Sequence, residues 1–237
     1  MVLTLYGHPS STCTQLVATV FHEKQVPFEL KVISFEKGEH KSANFLAKQP
    51  FGQVPYLVGV FVLIFANARC LTLAPNLRPQ DDDGYIIYES RAIARYIEEK
   101  FAGQGTTLIP KDLKAKGQFE QAASVEASNF DPYVTALYFE KILKPYMGLT
   151  PDEATFNALI KKLEAKLDVY DQILSKQKYL GGDEFTAADL FHLPYGSLLP
   201  TIGSNAIESR PNVAKWFKSL QDRPSWQAVK DGIASTA

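Results

Sequence analysis

The eight residues Pro50-Phe51-Gly52-Gln53-Val54-Pro55-Tyr56-Leu57 constrain the rest of the chain more than any other stretch, because they put a proline at the mouth of a short apolar strand. Proline has no N–H to give to a sheet ladder, so it belongs at an edge or at the first residue of a strand. A cis Val54-Pro55 bond, an isomer that costs only about 0.5–1 kcal/mol for X-Pro, would turn the N–H and C=O of Val54 outward, where an extended peptide can pair with them. A trans proline opening an edge strand is the alternative, and these eight residues alone leave both standing.

Downstream, residues 81–97 read as turn, strand and helix. Asp83-Gly84 supplies turn chemistry, Tyr85 to Tyr88 is β-rich, and Ile93, Tyr96 and Ile97 recur at helical spacing. Ser90 falls where an N-cap belongs. Its hydroxyl among free helix N–H groups either caps the helix or receives a carboxylate, and Glu89 beside it offers a partner for an ammonium. Together they would hold an amino-acid head group.

At the N-terminus, Val2 to Tyr6 reads as a strand, Gly7-His8-Pro9-Ser10 as a loop, and Ser11 as the start of a helix with Leu16, Val17, Val20 and Phe21 on one side. Met1 to Tyr6 lacks the basic and apolar regions of a secretory signal. Phe28 to Ile33 is a second strand, joined to the first by a crossover helix as a parallel pair requires. The backbone N–H groups and the dipole at the strand–helix join favour an anion.

Taken with Gly7-His8-Pro9-Ser10-Ser11-Thr12 and Glu39-His40-Lys41, the turn and the Glu89-Ser90 pair resemble the glutathione transferases, most closely the phi class, over nearly the whole chain. The resemblance implies an α/β thioredoxin-like N-terminal domain (1–102), a linker (103–110) marked by Gly103-Gln104-Gly105-Thr106-Thr107, and an all-α C-terminal domain (111–237). It also implies that Gln53, Val54 and Pro55 meet the cysteinyl backbone of glutathione, that Glu89 and Ser90 hold its γ-glutamyl end, and that His40 and Lys41 contact its glycyl carboxylate. Ser11, with Thr12 beside it, matches the serine of the phi pattern. A serine hydroxyl is too weak an acid to serve as a base, so Ser11 would donate to the thiolate. A hydrogen bond to a charged acceptor contributes about 1.5–3 kcal/mol, roughly one or two pKa units, which brings a thiol of about 8.5 near neutrality. Cys13 competes for the role, since a thiol in the first turn of a helix can be acidified and form a mixed disulfide, which is thiol transfer rather than conjugation. Thr14-Gln15 departs from the pattern, plant phi enzymes usually carrying an arginine there.

Composition narrows the partners. With 237 residues, 46% apolar, the chain can bury two modest cores, and a formal net charge of −1 gives no basic field for nucleic acid or an anionic membrane. Two cysteines, Cys13 and Cys70, make neither a disulfide framework nor a zinc site, which fits a reduced, cytoplasmic setting. No metal or nucleotide cofactor is implied; glutathione is a co-substrate, and a homodimer is what the family forms.

The C-terminal part reads as helices throughout: a first run from about Lys111 to Tyr146, broken near Pro132 and ended by Pro145 with Gly148, then a start at Thr150-Pro151-Asp152-Glu153 with threonine as cap. Leu159, Leu163, Leu167 and Tyr170 continue that helix as a core stripe. Thr186-Ala187-Ala188-Asp189 is a capping box with a structural role. Further starts stand at Arg210-Pro211 and Arg223-Pro224. Phe119, Phe130, Tyr133 and Tyr138 are candidates to line an apolar cleft for the electrophile, against the plain alternative of core packing. The resulting expectation is a transferase that joins glutathione to small hydrophobic electrophiles and also reduces organic hydroperoxides, with a non-catalytic carrier of the same fold or a Cys13 thiol transferase as rivals.

One segment, Val58 to Gln80, interrupts the pattern. Removing its 23 residues joins Val-Pro-Tyr-Leu to Asp-Asp-Asp-Gly-Tyr-Ile-Ile-Tyr, a hairpin of ordinary loop length. Valine codons begin GT and a glutamine codon can be CAG, so an in-frame segment bounded by Val and Gln fits a translated intron. Its apolar run, Val58 to Ala66, is shorter than the roughly 20 residues that span a bilayer, and exposed it would favour aggregation. The segment is expected to loop out of an intact domain and obstruct the dimer surface. Protein lacking residues 58–80 should be more soluble and more active than the full chain, and a spliced message that encodes all 23 residues as its dominant form would refute the intron reading.

Overall fold

The computed structural model describes residues 2–60 and 84–237, Val60 by its backbone only. β1 (Val2–Gly7) lies parallel to β2 (Phe28–Val32), with Leu3 opposite Phe28 and Leu5 opposite Leu30. Parallel neighbours need a crossover, and α1 (Thr12–Glu23) supplies it. β3 (Tyr56–Val60) runs antiparallel to both β1 and β4 (Ile86–Tyr88), giving the order β2-β1-β3-β4. The expected apolar side of α1, Leu16, Val17, Val20 and Phe21, is buried against Leu3, Leu5 and Phe28. Across the sheet a smaller cluster of Ile33, Phe45 and Tyr56 packs with Tyr6, Val58 and Ile86.

Three residues of the supposed insertion belong to this sheet. Val58 pairs with Thr4 on one side and Ile86 on the other, while Gly59 pairs with Leu3 and Val60 with Val2. Apolar residues directly after Leu57 simply extend the ladder, Val58 adding to the smaller cluster. In the shortened chain an aspartate, Asp81, would follow Leu57 in that place. Residues 61–80 lie outside the described residues.

β2 is an edge strand, and the end of the chain covers its free side: Ser235 Oγ accepts the Leu30 N–H at 2.8 Å, and the Thr236 N–H donates to Phe28 O at 2.9 Å. Such cover removes a surface that would otherwise pair with another strand. A short α2 (Ala43–Leu46) stands between β2 and β3, and after β4, α3 (Ser90–Lys100) buries Ile93, Ala94 and Ile97 against α1.

Among the described residues everything beyond α3 is helical or irregular: α4 (Leu113–Asn129), α5 (Asp131–Tyr138), a π-helical turn (Phe139–Leu143), α6 (Lys144–Tyr146), α7 (Glu153–Leu174), α8 (Ala187–Leu190), α9 (Leu193–Gly196), α10 (Pro211–Gln221) and α11 (Pro224–Gln227). Pro132 stands in the first turn of α5, so the break falls before it. The run ends at Tyr146, one residue past Pro145, and Gly148 (φ 73°) closes it, the Leu149 N–H donating to Lys144 O at 2.8 Å. The cap of α7 is Asp152, two residues past the expected Thr150. Its Oδ1 accepts from the N–H groups of both Ala154 (2.9 Å) and Thr155 (3.2 Å), and a carboxylate at a helix N-terminus also meets the dipole. The capping box forms, with the Asp189 carboxylate accepting from Thr186 N–H at 3.0 Å. Asp189 is fully buried and its other oxygen takes the N–H of Leu180 (3.1 Å) and of the Trp216 indole (2.9 Å), which ties α8 to α10.

The two halves are joined at the end of α1. Glu23, nearly buried, receives Arg223 as a fork at 2.6 and 2.8 Å and the Ser225 hydroxyl at 2.5 Å. Lys24, with no exposure, donates to Thr106 O at 3.0 Å and lies 2.7 Å from Glu98. Burial alone would raise the Glu23 carboxyl, but its bonds from Arg223 and Ser225 outweigh that and hold it below the ordinary 4.5. A carboxyl depressed in the folded state stabilises the fold above its unfolded value and loses that contribution as pH falls through the folded one. Glu23→Gln should therefore cost roughly 3 kcal/mol at neutral pH in urea unfolding. The deficit should shrink as the pH falls below the ordinary 4.5 and through the depressed folded value; the same deficit at neutral and at acid pH would mean that Glu23 acts by packing alone.

Candidate active site

β1 ends at Gly7, and a Cβ there would come within 2.5 Å of the Thr14 side chain, so only glycine lets the strand end this close to α1. The chain then turns through His8 to Ser11, closed by the Ser11 N–H donating to His8 O at 2.9 Å. Ser11 is the N-cap of α1, in extended conformation, and its Oγ accepts from the Thr14 N–H at 3.3 Å. That bond uses the hydroxyl as an acceptor and leaves its proton to donate. The first turn of α1 contains no acid, so the positive end of the helix is not neutralised from within.

Cys13 lies two residues on, in the first turn of α1. It shares with Thr12, Leu16, Ser90, Arg91 and Asp131 a cavity of only about 10 Å³. Burial pushes its thiol up, against the smaller opposing pull of Ser90 and Arg91. A first-turn position suggests an acidified thiol, but the side chain lines the join between the halves, where burial works the other way. Thr14 is likewise buried, its Oγ1 accepting from the His8 N–H at 3.3 Å, and Gln15 reaches Lys230 O at 3.4 Å.

The turn before β3 is built on Gly52, whose φ of 61° favours glycine and where a Cβ would stand 2.8 Å from Lys41 Nζ and 2.9 Å from His40 O. This close approach lets Lys41 donate to the carbonyl of Gly52 at 3.0 Å and of Phe51 at 3.4 Å. Lys41 has no carboxylate partner among the described residues. His40 stands edge-on to Phe35 at 5.1 Å, and burial followed by the charge of Lys41 pushes its imidazole down. The Val54-Pro55 bond is cis, and Val54 makes no main-chain hydrogen bond among the described residues. Gln53 is exposed.

At the start of α3 the cap is Glu89, and Ser90 is the first helical residue rather than the N-cap. Glu89 holds φ 70° and ψ 110°, a conformation that costs a residue with a side chain about 1–3 kcal/mol and collects at ligand sites. Ser90 is buried beside Cys13. Arg91 comes next, with a fork onto Glu126 at 2.8 and 2.6 Å and a third bond to Asp131 at 2.9 Å, so the start of α3 is fixed to α4 and α5.

A cavity of about 530 Å³ opens between the β1–α1 turn and the π-helical turn. Its N-terminal side carries His8, Ser11, Thr12, Val32 and Phe35; its C-terminal side carries Tyr138, Ile142, Leu143 and Tyr146. Of the four aromatics expected along a cleft, only Tyr138 lines it. Phe119 and Phe130 are core residues, at 0% and 1% exposure, and Tyr133 packs half-buried against the same core, because the apolar face of α4 and α5 turns to α7 and α8. Phe35, Ile142, Leu143 and Tyr146 escape sequence reading. A π turn offsets the helical count by one, and a 3.6-residue period carried through it misplaces the side chains beyond. Their only signal is exposure of large apolar groups: Phe35 at 39% and Tyr146 at 76%. His40, Lys41, Gln53, Val54, Pro55, Glu89 and Ser90 do not line this cavity, with Ser11 and Thr12 the expected site residues at its edge. The described residues include no group of His, Cys, Asp and Glu able to hold a metal, and no helix long and apolar enough to cross a membrane.

The family described as Glutathione S-transferase, N-terminal domain, matches residues 5–105, and that described as Glutathione S-transferase, C-terminal domain, matches residues 131–224. The chain is 40% identical to Glutathione S-transferase hmp2 of Hypomyces subiculosus over 233 residues, 95% of this chain and 96% of that one. It is 36% identical to Glutathione S-transferase 3 of Zea mays over 237 residues, 98% and 94% of the two chains. Among solved structures, glutathione transferase F7 from Populus trichocarpa superimposes with a TM-score of 0.84 at 37% identity, covering 97% of this chain and 98% of its own. Maize glutathione S-transferase I in complex with an atrazine glutathione conjugate gives 0.78 at 29% identity, covering 98% and 97%.

Proposed function

The chain belongs to the glutathione S-transferase family, most like its phi class, and from that premise we propose that it joins the thiol sulfur of glutathione to small apolar electrophiles and also reduces organic hydroperoxides. The observation that carries this reading is the Ser11 hydroxyl, engaged as an acceptor by the Thr14 N–H and standing at the rim of a cavity whose far wall is apolar. In the proposed mechanism its free proton points to the sulfur and stabilises the thiolate, the uncharged thiol gaining less. The thiolate attacks an electrophile held against Tyr138, Ile142 and Phe35, forming the S–C bond as the leaving group departs. Proximity and charge stabilisation carry the rate.

Glutathione itself would lie along the turn, its cysteinyl amide on Val54 beside Gln53 and Pro55. The γ-glutamyl carboxylate would meet Ser90 and the α3 N-terminus, and its ammonium Glu89. His40 and Lys41 would take the glycyl carboxylate. Support for this comes from the main chain of Val54, unbonded among the described residues, from Lys41, which among them is bound to neutral carbonyls alone, and from the strained Glu89. No metal enters the scheme, and a cytoplasmic, reducing setting suits the thiol.

Ser11→Ala should lower kcat at least tenfold while changing glutathione affinity little, since the hydroxyl acts on the thiolate more than on the neutral thiol. Cys13→Ser should leave turnover nearly unchanged, as its raised thiol suggests; the reverse outcome in steady-state assays would make this a cysteine-type thiol transferase. A protein that binds glutathione yet turns over neither a general electrophile nor a hydroperoxide would be a carrier of the same fold.

We also propose a homodimer, in which the first half of one subunit packs on the helical half of the other. Phe51, 65% exposed, is its candidate anchor. Light scattering at micromolar protein should give twice the chain mass, and a monomer throughout would remove the proposal.

A further inference from the structure

The cavity has a polar corner that thiolate stabilisation by Ser11 does not use. His8 lines it, and the imidazole is fixed from two directions. Its face stacks on Phe35 with ring centres 4.9 Å apart and planes 27° apart. Its Nδ1 accepts the main-chain N–H of Ser10 at 3.3 Å and lies 2.7 Å from the Ser10 hydroxyl. A main-chain N–H is always a donor, so the nitrogen that accepts it carries no proton, and the ring proton belongs on Nε2. Nε2 has no hydrogen-bond partner among the described residues. A half-buried ring with one nitrogen anchored and the other left as an open N–H donor, on the same cavity wall as Ser11, is the arrangement that polarises an oxygen of a bound substrate.

We propose that His8 is a further catalytic residue, its Nε2–H donating to the oxygen on which negative charge develops, and that the preferred co-substrates are therefore electrophiles that end the step as oxyanions: α,β-unsaturated carbonyls and organic hydroperoxides. The proposal rests on the glutathione-transfer reading. With an enone, the thiolate electron pair forms the S–C bond at the β-carbon. The C=C pair moves to form the enolate, whose oxygen is held by His8 Nε2–H, and solvent then protonates the α-carbon. With a hydroperoxide, the thiolate attacks the terminal oxygen, the S–O bond forms and the O–O bond breaks. The departing alkoxide is held by the same N–H until it takes a proton from water. The glutathione sulfenic acid is reduced by a second glutathione, giving the disulfide and water. With benzyl chloride the leaving group is chloride and no oxyanion forms.

The test compares full-length wild-type protein with His8→Phe, which keeps a ring to stack on Phe35 but has no donor, and His8→Gln, whose amide N–H reaches about as far as Nε2. Each is assayed with 4-phenylbut-3-en-2-one, cumene hydroperoxide and benzyl chloride. The expected result is that His8→Phe lowers kcat for the enone and the hydroperoxide at least tenfold relative to its own benzyl chloride rate, with the KM for glutathione unchanged, and that His8→Gln recovers most of that ratio. Equal losses on all three substrates, or none, would overturn the proposal. Wild-type protein inactive with benzyl chloride and every other electrophile would instead sink the glutathione-transfer reading. Should His8→Phe fail to fold, nitrogen-15 spectra of the wild-type imidazole decide: a proton on Nδ1, or an Nε2–H that does not shift on adding the enone's glutathione conjugate, refutes the assignment.

Discussion

Everything at the corner that holds Ser11 is referred to the far end of one helix. α1 holds Ser11 at its N-terminus and Glu23 at its C-terminus, and the Arg223–Glu23 fork with the Ser225 bond pins that C-terminus to α11. A helix is stiff over three turns, so fixing its tail while its flank packs on α3 and α9 also fixes where its first turn points. Lys24 and Glu98 add a second buried pair at the same end, tied to the Thr106 carbonyl of the connection between the halves. Charges removed from water are costly unless every member is partnered, which makes this joint intolerant of small displacements. The orientation of the Ser11 hydroxyl is thus a property of the join between two cores rather than of the loop in which it sits.

A second joint works on the opposite side of the turn before β3. Arg91, one residue past Ser90, reaches across to Glu126 and Asp131, and its guanidinium lies 5.7 Å from the Phe191 ring centre. Burial pushes the Glu126 carboxyl up to about 7 against the lowering pull of Arg91, so the ion pair is held in a place where it is expensive to keep. The start of α3 cannot relax without disturbing α4 and α5, and the strained Glu89 is retained between this clamp and β4.

Much of this was legible in the sequence wherever local chemistry decides the outcome. Turn residues and period located the strands and α1, the proline announced the turn before β3, and Thr186 with Asp189 announced a buried cap. Where two candidates compete for one job, the sequence was less exact: Asp152 caps α7 in place of Thr150, and α3 begins at Ser90 rather than after it. The lining of the cavity was mostly hidden. Phe119 and Phe130 have the same spacing whether they face a cleft or a core, and only the placement of α7 and α8 separates the two. Val58 to Val60 read as foreign because the join at Leu57 was so plausible, yet strand pairing continues through them, the β-branched valines suiting a ladder on either side of Gly59.

The π-helical turn at Phe139–Leu143 has a bearing on how such a pocket changes over generations. A π turn is an α-helix carrying one surplus residue, so losing that residue rewinds the helix and swings every side chain beyond it by about 100°. Here the segment beyond it is short: Lys144 to Tyr146, before a loop held at its base by Glu140, which accepts from Lys144 Nζ at 2.8 Å and from the Asp152 N–H at 3.0 Å. A single-codon deletion would therefore exchange the side chains facing the cavity, while α4, α5 and the core beneath them stay where they are. A one-residue change of length in this turn thus re-aims several side chains at once, where a substitution changes one.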